Sequence, residues 1–275
     1  MSAWRQRRGL GATIGFTIIA INLIAVALAP WIAPHGQADL VGNVWAGPSA
    51  GSWLGLDNLG RDMLSRLLFG GRTSITLALV ITLLSFLIGV SLGFAAATTL
   101  RWIDALLSRC VDALMAVPSL ITALVVLSVL GTSIPVLVGT IAVLEATRVF
   151  RVSRSVAMDI AVLDYVEAAR LRGEGLWWVM CHEILPNAMA PLTAEFGLRF
   201  CFSLLFVASL SFLGLGVQPP TADWGSMVRE NATAINLGGT APLLPAAAIA
   251  ILTIGINLVV DWFLSFQTRG QGERA

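Results

Sequence analysis

Four ionisable residues interrupt stretches otherwise built of Leu, Val, Ala and Phe. Glu145 and Arg148 stand three apart, and Glu195 and Arg199 stand four apart. At those spacings each acid can meet its base on one helix face. Charge inside an apolar segment is costly, so such pairs either line a path for a polar solute or lock one helix against another. Both readings are open. Asn257 and Asp261 share a face of the last apolar run in the same way. On the first reading Glu145, Glu195, Arg199 and Asn257 are the candidate lining residues.

Other chemistry is thin. The chain contains no lysine, so every basic residue is arginine. A phosphate-binding loop of the Walker A type needs its lysine on the nucleotide phosphates, which excludes one here. No H-E-x-x-H helix is present, and no nucleophile elbow is expected. His35 and His182 fall on opposite sides of the expected membrane and cannot share a metal. Cys110, Cys181 and Cys201 fall at a helix end, in a charged loop and within a span, where no oxidising compartment would pair them. No catalytic residue, metal or cofactor of the chain's own is expected, and no nucleic-acid partner.

The elements that must position these residues are membrane helices. The chain is 57% hydrophobic and 12% charged, about half the charged share of a soluble domain. Apolar runs near the ~20 residues that cross a bilayer recur along it. The expected fold is an all-α integral membrane protein with six spans, over residues 10–33, 74–100, 110–130, 134–150, 188–213 and 243–266. The first is too long for a removable signal peptide and lacks its cleavage pattern, so it reads as an anchor. Arginines set the orientation. Arg5, Arg7, Arg8, Arg101, Arg109, Arg151, Arg154, Arg170, Arg172, Arg269 and Arg274 fall on one side, which is therefore cytoplasmic. Arg61, Arg66, Arg72 and Arg229 are spread over longer loops on the other. Both termini (1–9 and 267–275) and a loop at 153–187 are then cytoplasmic, 34–73 and 214–242 are external, and 74–266 is a five-helix core.

The cytoplasmic loop is the heaviest polar interruption. Residues 161–172 form a good helix, with Asp164 early and arginines late to complement its dipole. Gly173 suits a left-handed cap. Residues 176–184 form a second, amphipathic stretch carrying Trp177 and Trp178, and Pro186 closes the segment. The product is helix, sharp bend, helix along the membrane surface.

Glu167-Ala168-Ala169, then Gly173, then Ile184-Leu185-Pro186 resemble the E-A-A–G–I-L-P signature of permease subunits of ABC importers. In that family this segment is the coupling helix, which docks on a cytoplasmic ATPase. The resemblance makes Glu167, Ala168, Ala169 and Gly173 contact and bend residues, with Tyr165 and Arg170 beside them. One departure is visible: the family isoleucine is separated from Leu-Pro by one residue, where this chain has Glu183 and sets Ile184 directly before it. Residues 53–66, W-L-G-L-D-N-L-G-R-D-M-L-S-R, are similar to a segment of peptide and nickel importer permeases, with Leu56 in place of threonine. Residues 210–217, Pro219-Pro220 and Ala222-Asp223-Trp224-Gly225 are similar to their S-F-L-G-L-G…W-G segment. These motifs point to the second of the two unlike permeases, on a type I importer fold in a bacterial inner membrane.

What this implies is a machine. A homologous permease would complete the path, two ATPase subunits would bind ATP and Mg, and a substrate-binding protein would deliver di- or oligopeptides. Nickel, a metal chelate or another peptide-like solute is the alternative substrate, and a secondary transporter the alternative class. On the external side, Asp57 with Arg61 and Asp62 with Arg66 are i,i+4 pairs, so residues 57–66 are expected as a short surface helix. That face, with Gly60 and Trp224, is either self-stabilised or a platform for a partner. Trp53 and Trp224 fit an interfacial aromatic belt.

Overall fold

The computed structural model describes the backbone of residues 2–272 and the side chains of residues 10–265. Arg5, Arg7, Arg8, Arg269 and Arg274, used above for orientation, lie outside the described side chains. Among the described residues the fold is helical, with three isolated bridges and no strand. In chain order the α-helices are α1 (Ser2–Ala27), α2 (Ala29–Ile32), α3 (Met63–Thr98), α4 (Arg101–Ala116), α5 (Ser119–Leu130), α6 (Ile134–Ala161), α7 (Asp164–Leu171), α8 (Leu176–Trp178), α9 (Leu185–Phe212), α10 (Trp224–Glu230) and α11 (Leu243–Gly272). A π-helical turn, Val179–Ile184, fuses α8 to α9, and a 3-10 turn, Ala232–Leu237, follows α10.

Four stretches are long and apolar enough to cross a membrane: Leu10–Ala27, Met63–Thr98, Leu176–Phe212 and Leu243–Ser265. Their outward faces carry exposed Leu, Ile, Val and Phe side chains, as suits groups dissolved in lipid. Helix α6, at 28 residues, is long enough too, but it carries Glu145, Arg148, Arg151, Arg154 and Asp159. It also runs eleven residues beyond the expected end of the fourth span, and α3 begins eleven residues before the expected start of the second.

The expected third span, over 110–130, is not one continuous helix. It is broken into α4 and α5, which meet at 84°. Pro118 has no N–H to donate and its ring forces the residue before it out of the helical region; Val117 is accordingly extended, at φ −96° and ψ 134°. The expected surface helix over 57–66 is also absent, because residues 57–62 form turns and bridges and α3 starts only at Met63.

Helices α3 and α6 form the central seam, and small residues allow it. A Cβ on Gly89 would lie 2.6 Å from Val149 Cβ, and one on Gly93 would lie 2.2 Å from Ser153 Oγ. Ser153 Oγ spans the contact, 3.0 Å from the Gly89 carbonyl. Against this seam α9 adds Val207 and Leu210, and α5 adds Ala123 and Leu127. A second cluster, at the other end of the seam, joins Phe94 and Ala157 to Val166, Ala169, Val179 and Ile184.

The seam predicts its own sensitivity. Gly93→Val in the purified protein should lower the thermal unfolding midpoint by the equivalent of ~1–3 kcal/mol, the usual cost of overpacking. Gly139→Ala, where a Cβ meets nothing within 4 Å, should leave it unchanged.

Candidate functional site

The chain brings its polar chemistry together in three places. At one end of the bundle, Asp57 is the centre of a buried ionic knot. Its carboxylate accepts the backbone N–H groups of Leu59 (2.8 Å) and Arg61 (2.9 Å), the Arg61 Nε–H (2.7 Å) and an Arg66 guanidinium N–H. Both arginines also donate to Glu230 Oε2, at 2.7 Å and 2.8 Å. Asn231, next in sequence, accepts from Asn58 N at 3.0 Å and Trp45 Nε1 at 3.3 Å. Burial pushes the Asp57 carboxyl up, but the backbone N–H groups of Arg61 and Leu59 and the Arg66 guanidinium outweigh it and hold it below the usual carboxylate range.

This corrects the surface reading of that segment. Asp57, Gly60, Arg61, Asp62 and Arg66 are all buried. Arg61 does pair with Asp57, but across a turn instead of along a helix. Asp62 does not pair with Arg66; it caps α3, accepting Ser65 N at 2.8 Å and Ser65 Oγ at 2.6 Å. Gly60, at φ +79°, packs so closely that a Cβ would lie 2.0 Å from the Gly42 carbonyl. Trp53 is exposed, but Trp224 is 2% exposed and belongs to no outer belt. Its indole donates to the Leu67 carbonyl at 3.0 Å, and its backbone N–H to Ser74 Oγ at 3.0 Å. Asp223 caps α10 through Gly225 N and Ser226 N. The two motifs at this end, far apart in sequence, are one folded unit.

At the opposite end, α7 stands across the end of the α3–α6 seam. It buries Val166 and Ala169, one helical turn apart, and exposes Tyr165, Glu167, Ala168 and Arg170. Ala169 is therefore an inward packing residue and not an outward contact. Helix α7 ends in a Schellman cap: Gly173 N–H donates to Arg170 O (3.0 Å) and Glu174 N–H to Ala169 O (3.3 Å). That cap needs φ +84° at residue 173, which glycine adopts without steric cost. Val162, Leu163, Leu171 and Trp177 add an exposed apolar rim. The late isoleucine also finds its explanation. Val179 and Ile184, five apart, are both buried, and the π-turn between them is the winding that puts such a pair on one face.

The third place is the middle of the helices. The expected separate pairs are one chain linking α6 to α9. Arg148 Nη1 meets Glu145 Oε1 at 2.5 Å, Glu145 Oε2 meets Arg199 Nη1 at 3.0 Å, and Arg199 Nε meets Glu195 Oε1 at 2.7 Å. Phe202 covers the Arg199 guanidinium at 4.6 Å from its ring centroid. Glu145 and Arg199 are buried. Asn257 is not part of this chain; its amide donates to Thr253 O on its own helix at 3.0 Å, and Asp261 is exposed.

Sequence reasoning missed Glu230 and Asn231, which carry no local signal because their partners lie more than 160 residues away. Gly47-Pro48-Ser49-Ala50-Gly51 does match G-x-S-x-G, but it is an exposed turn bridged from Ser49 to Ser52, with no strand before it or helix after it, and is no nucleophile elbow. Among the described residues no group of three His, Cys, Asp or Glu could hold a metal.

A family model described as "binding-protein-dependent transport system inner membrane component" matches residues 89–271. The di/tripeptide transport system permease protein DppC of Pseudomonas aeruginosa is 35% identical over 258 residues, covering 91% of this chain and 85% of that protein. The glutathione transport system permease protein GsiD of Pectobacterium atrosepticum is 31% identical over 261 residues, 94% of this chain and 87% of that one. An amino acid ABC transporter crystallised with histidines shares the fold, with a TM-score of 0.55 and 19% identity over 73% of this chain and 93% of that one.

Removing one partner from the ionic knot strands the others. Arg66→Ala should destabilise the protein by roughly 3–5 kcal/mol, read as a fall in the detergent unfolding midpoint. A carboxyl held below its unfolded value, about pH 3.9, adds stability above that pH and loses it as pH falls through the folded value. Acidification from pH 5 towards pH 3 should therefore lower the midpoint, and Asp57→Asn should remove that part of the slope.

Proposed function

The chain belongs to the family of binding-protein-dependent transport system inner membrane components, and we propose that it is the second permease subunit of an ATP-driven peptide importer. In this reading α6 and the bent α4–α5 pair each count as a crossing, which gives six spans with both termini in the cytoplasm. A homologous permease completes the path. Two cytoplasmic ATPase subunits bind ATP and Mg and hydrolyse it, and a substrate-binding protein delivers solute at the end that holds the ionic knot.

The observation that carries the proposal is the form of α7. It is a short helix anchored by Val166 and Ala169 to the central seam, capped by Gly173, and edged by exposed Val162, Leu171 and Trp177. An apolar rim this exposed beside Glu167 and Arg170 suits a protein partner. Force applied there reaches the α3–α6 seam through packed side chains, because α7 shares its buried cluster with Phe94 of α3 and Ala157 of α6. Closure of paired ATPases on such helices would rock the two permeases between inward- and outward-facing forms.

Di- or oligopeptides are the proposed cargo, supported by relatives named as peptide and glutathione permeases. That support favours peptides over nickel or a metal chelate. Glu167→Arg should abolish co-purification with the ATPase subunits and reduce uptake at least tenfold, while the variant still inserts and pairs with its companion permease. Undiminished co-purification and uptake with Glu167→Arg and Gly173→Val combined would reject α7 as the coupling element. Ligand binding by the companion receptor identifies the cargo directly.

A further inference from the structure

The break between α4 and α5 opens a cleft of about 270 Å³, lined by Val117, Pro118, Ser119, Leu120, Thr147 and Arg148 among others. That volume lies just below the range of small-molecule pockets, roughly 300–1,000 Å³, which suits the terminal group of a solute better than a whole bulky one. Arg148 is the one charged side chain in its lining. Fourteen residues separate Arg148 from the start of α6, and thirteen from its end, so it lies about 20 Å from either. The cleft is therefore at mid-length of a helix long enough to cross a bilayer.

Arg148 differs from the other three members of its ionic chain. Its side chain is 38% exposed, against 1% for Glu145, 10% for Arg199 and 12% for Glu195. Only Nη1 is engaged, at Glu145. Glu145 is in turn shared with Arg199, so one carboxylate serves two guanidinium groups, of which Arg148 alone lines the cleft. The remaining N–H groups of Arg148 have the fork geometry that grips a carboxylate. The positive end of α5 adds to this field. Its first three N–H groups, at Ser119, Leu120 and Ile121, precede the first intrahelical bond, from Thr122 N to Pro118 O, and aligned peptide dipoles favour negative charge there.

We propose that this cleft is a passage subsite for a carboxylate of the transported solute, with Arg148 engaging it and Glu145 and Arg199 holding Arg148 in place. The carboxylate assignment rests on the peptide reading above only for its source, the free C-terminus of a short peptide. The break in the helix and the charge on Arg148 act together: the first removes side chains from in front of the guanidinium, and the second gives the opening its sign.

The assembled complex in proteoliposomes tests this by charge-selective labelling. Cys110, Cys181 and Cys201 are replaced by serine, and Ser119→Cys is introduced at the cleft. The ratio of labelling rates by anionic and cationic methanethiosulfonates is then compared with the same ratio for a free small thiol. A unit charge at close range should raise the ratio about tenfold, and Arg148→Gln should abolish the rise while Arg148→Lys retains it. Leu120→Cys, at the same cleft, repeats the measurement if the first variant fails to assemble. No rise, or a rise unchanged by Arg148→Gln, overturns the subsite. A dipeptide that slows labelling where its C-terminal amide does not supports the carboxylate assignment. Protection by acetate without protection by any free-acid peptide keeps the anion subsite and overturns the peptide reading.

Discussion

Asp57 accepts two backbone N–H groups and two guanidinium groups at once, and Glu230 closes the same two arginines from the far side. Charge taken out of water is costly unless it is paired and hydrogen-bonded. That requirement ties the loop before α3 to α10, because Arg61 and Arg66 both reach Asp57 and Glu230. It also fixes α10, which carries Glu230 and whose first residue, Trp224, packs against α3 beneath Gly70 and Gly71. One end of the molecule is thus held by electrostatics under a lid of turns, with little regular structure of its own.

The opposite end follows a different rule. Helix α7 has eight residues, too few to be stable alone in water, so it owes its form to Val166 and Ala169 and to the Schellman cap. Its remaining surface mixes charge with exposed apolar groups. A rigid end tied by ion pairs and an end held by packing around a small helix give the molecule two physically distinct end faces. Between them, the α3–α6 seam has backbones too close to admit side chains at Gly89 and Gly93, and such a contact transmits displacement instead of absorbing it.

The ionic chain at mid-length joins α6 to α9 where hydrophobic packing alone would let them slide. Glu145 is the shared element, and its two arginines differ in setting: Arg199 is buried between α6 and α9 against Phe202, and Arg148 lines the cleft at the broken helix. The same carboxylate therefore stiffens the bundle and orients a cation towards open space.

Helical membrane character, the lack of a lysine for a Walker A loop and the three separated motifs were legible directly, because hydropathy, a missing lysine and contiguous residue strings are local properties. The Gly173 cap was legible for the same reason, since a left-handed residue after a helix is a local demand. Pro118 is a visible break signal, but the apolar run that contains it reads as one span. What local spacing could not decide was which partner each charge takes. Asp62 and Arg66 stand at helical spacing yet part company, because Ser65 offers Asp62 a cap while Asp57 and Glu230 offer Arg66 a better-compensated site. Glu145 meets Arg199 across 54 residues, and Arg66 meets Glu230 across 164. Composition settled that this chain must bury its charges in pairs. The choice of pairs belonged to the tertiary structure, because desolvation is relieved by whichever groups the packed helices bring together, however far apart they lie in the chain.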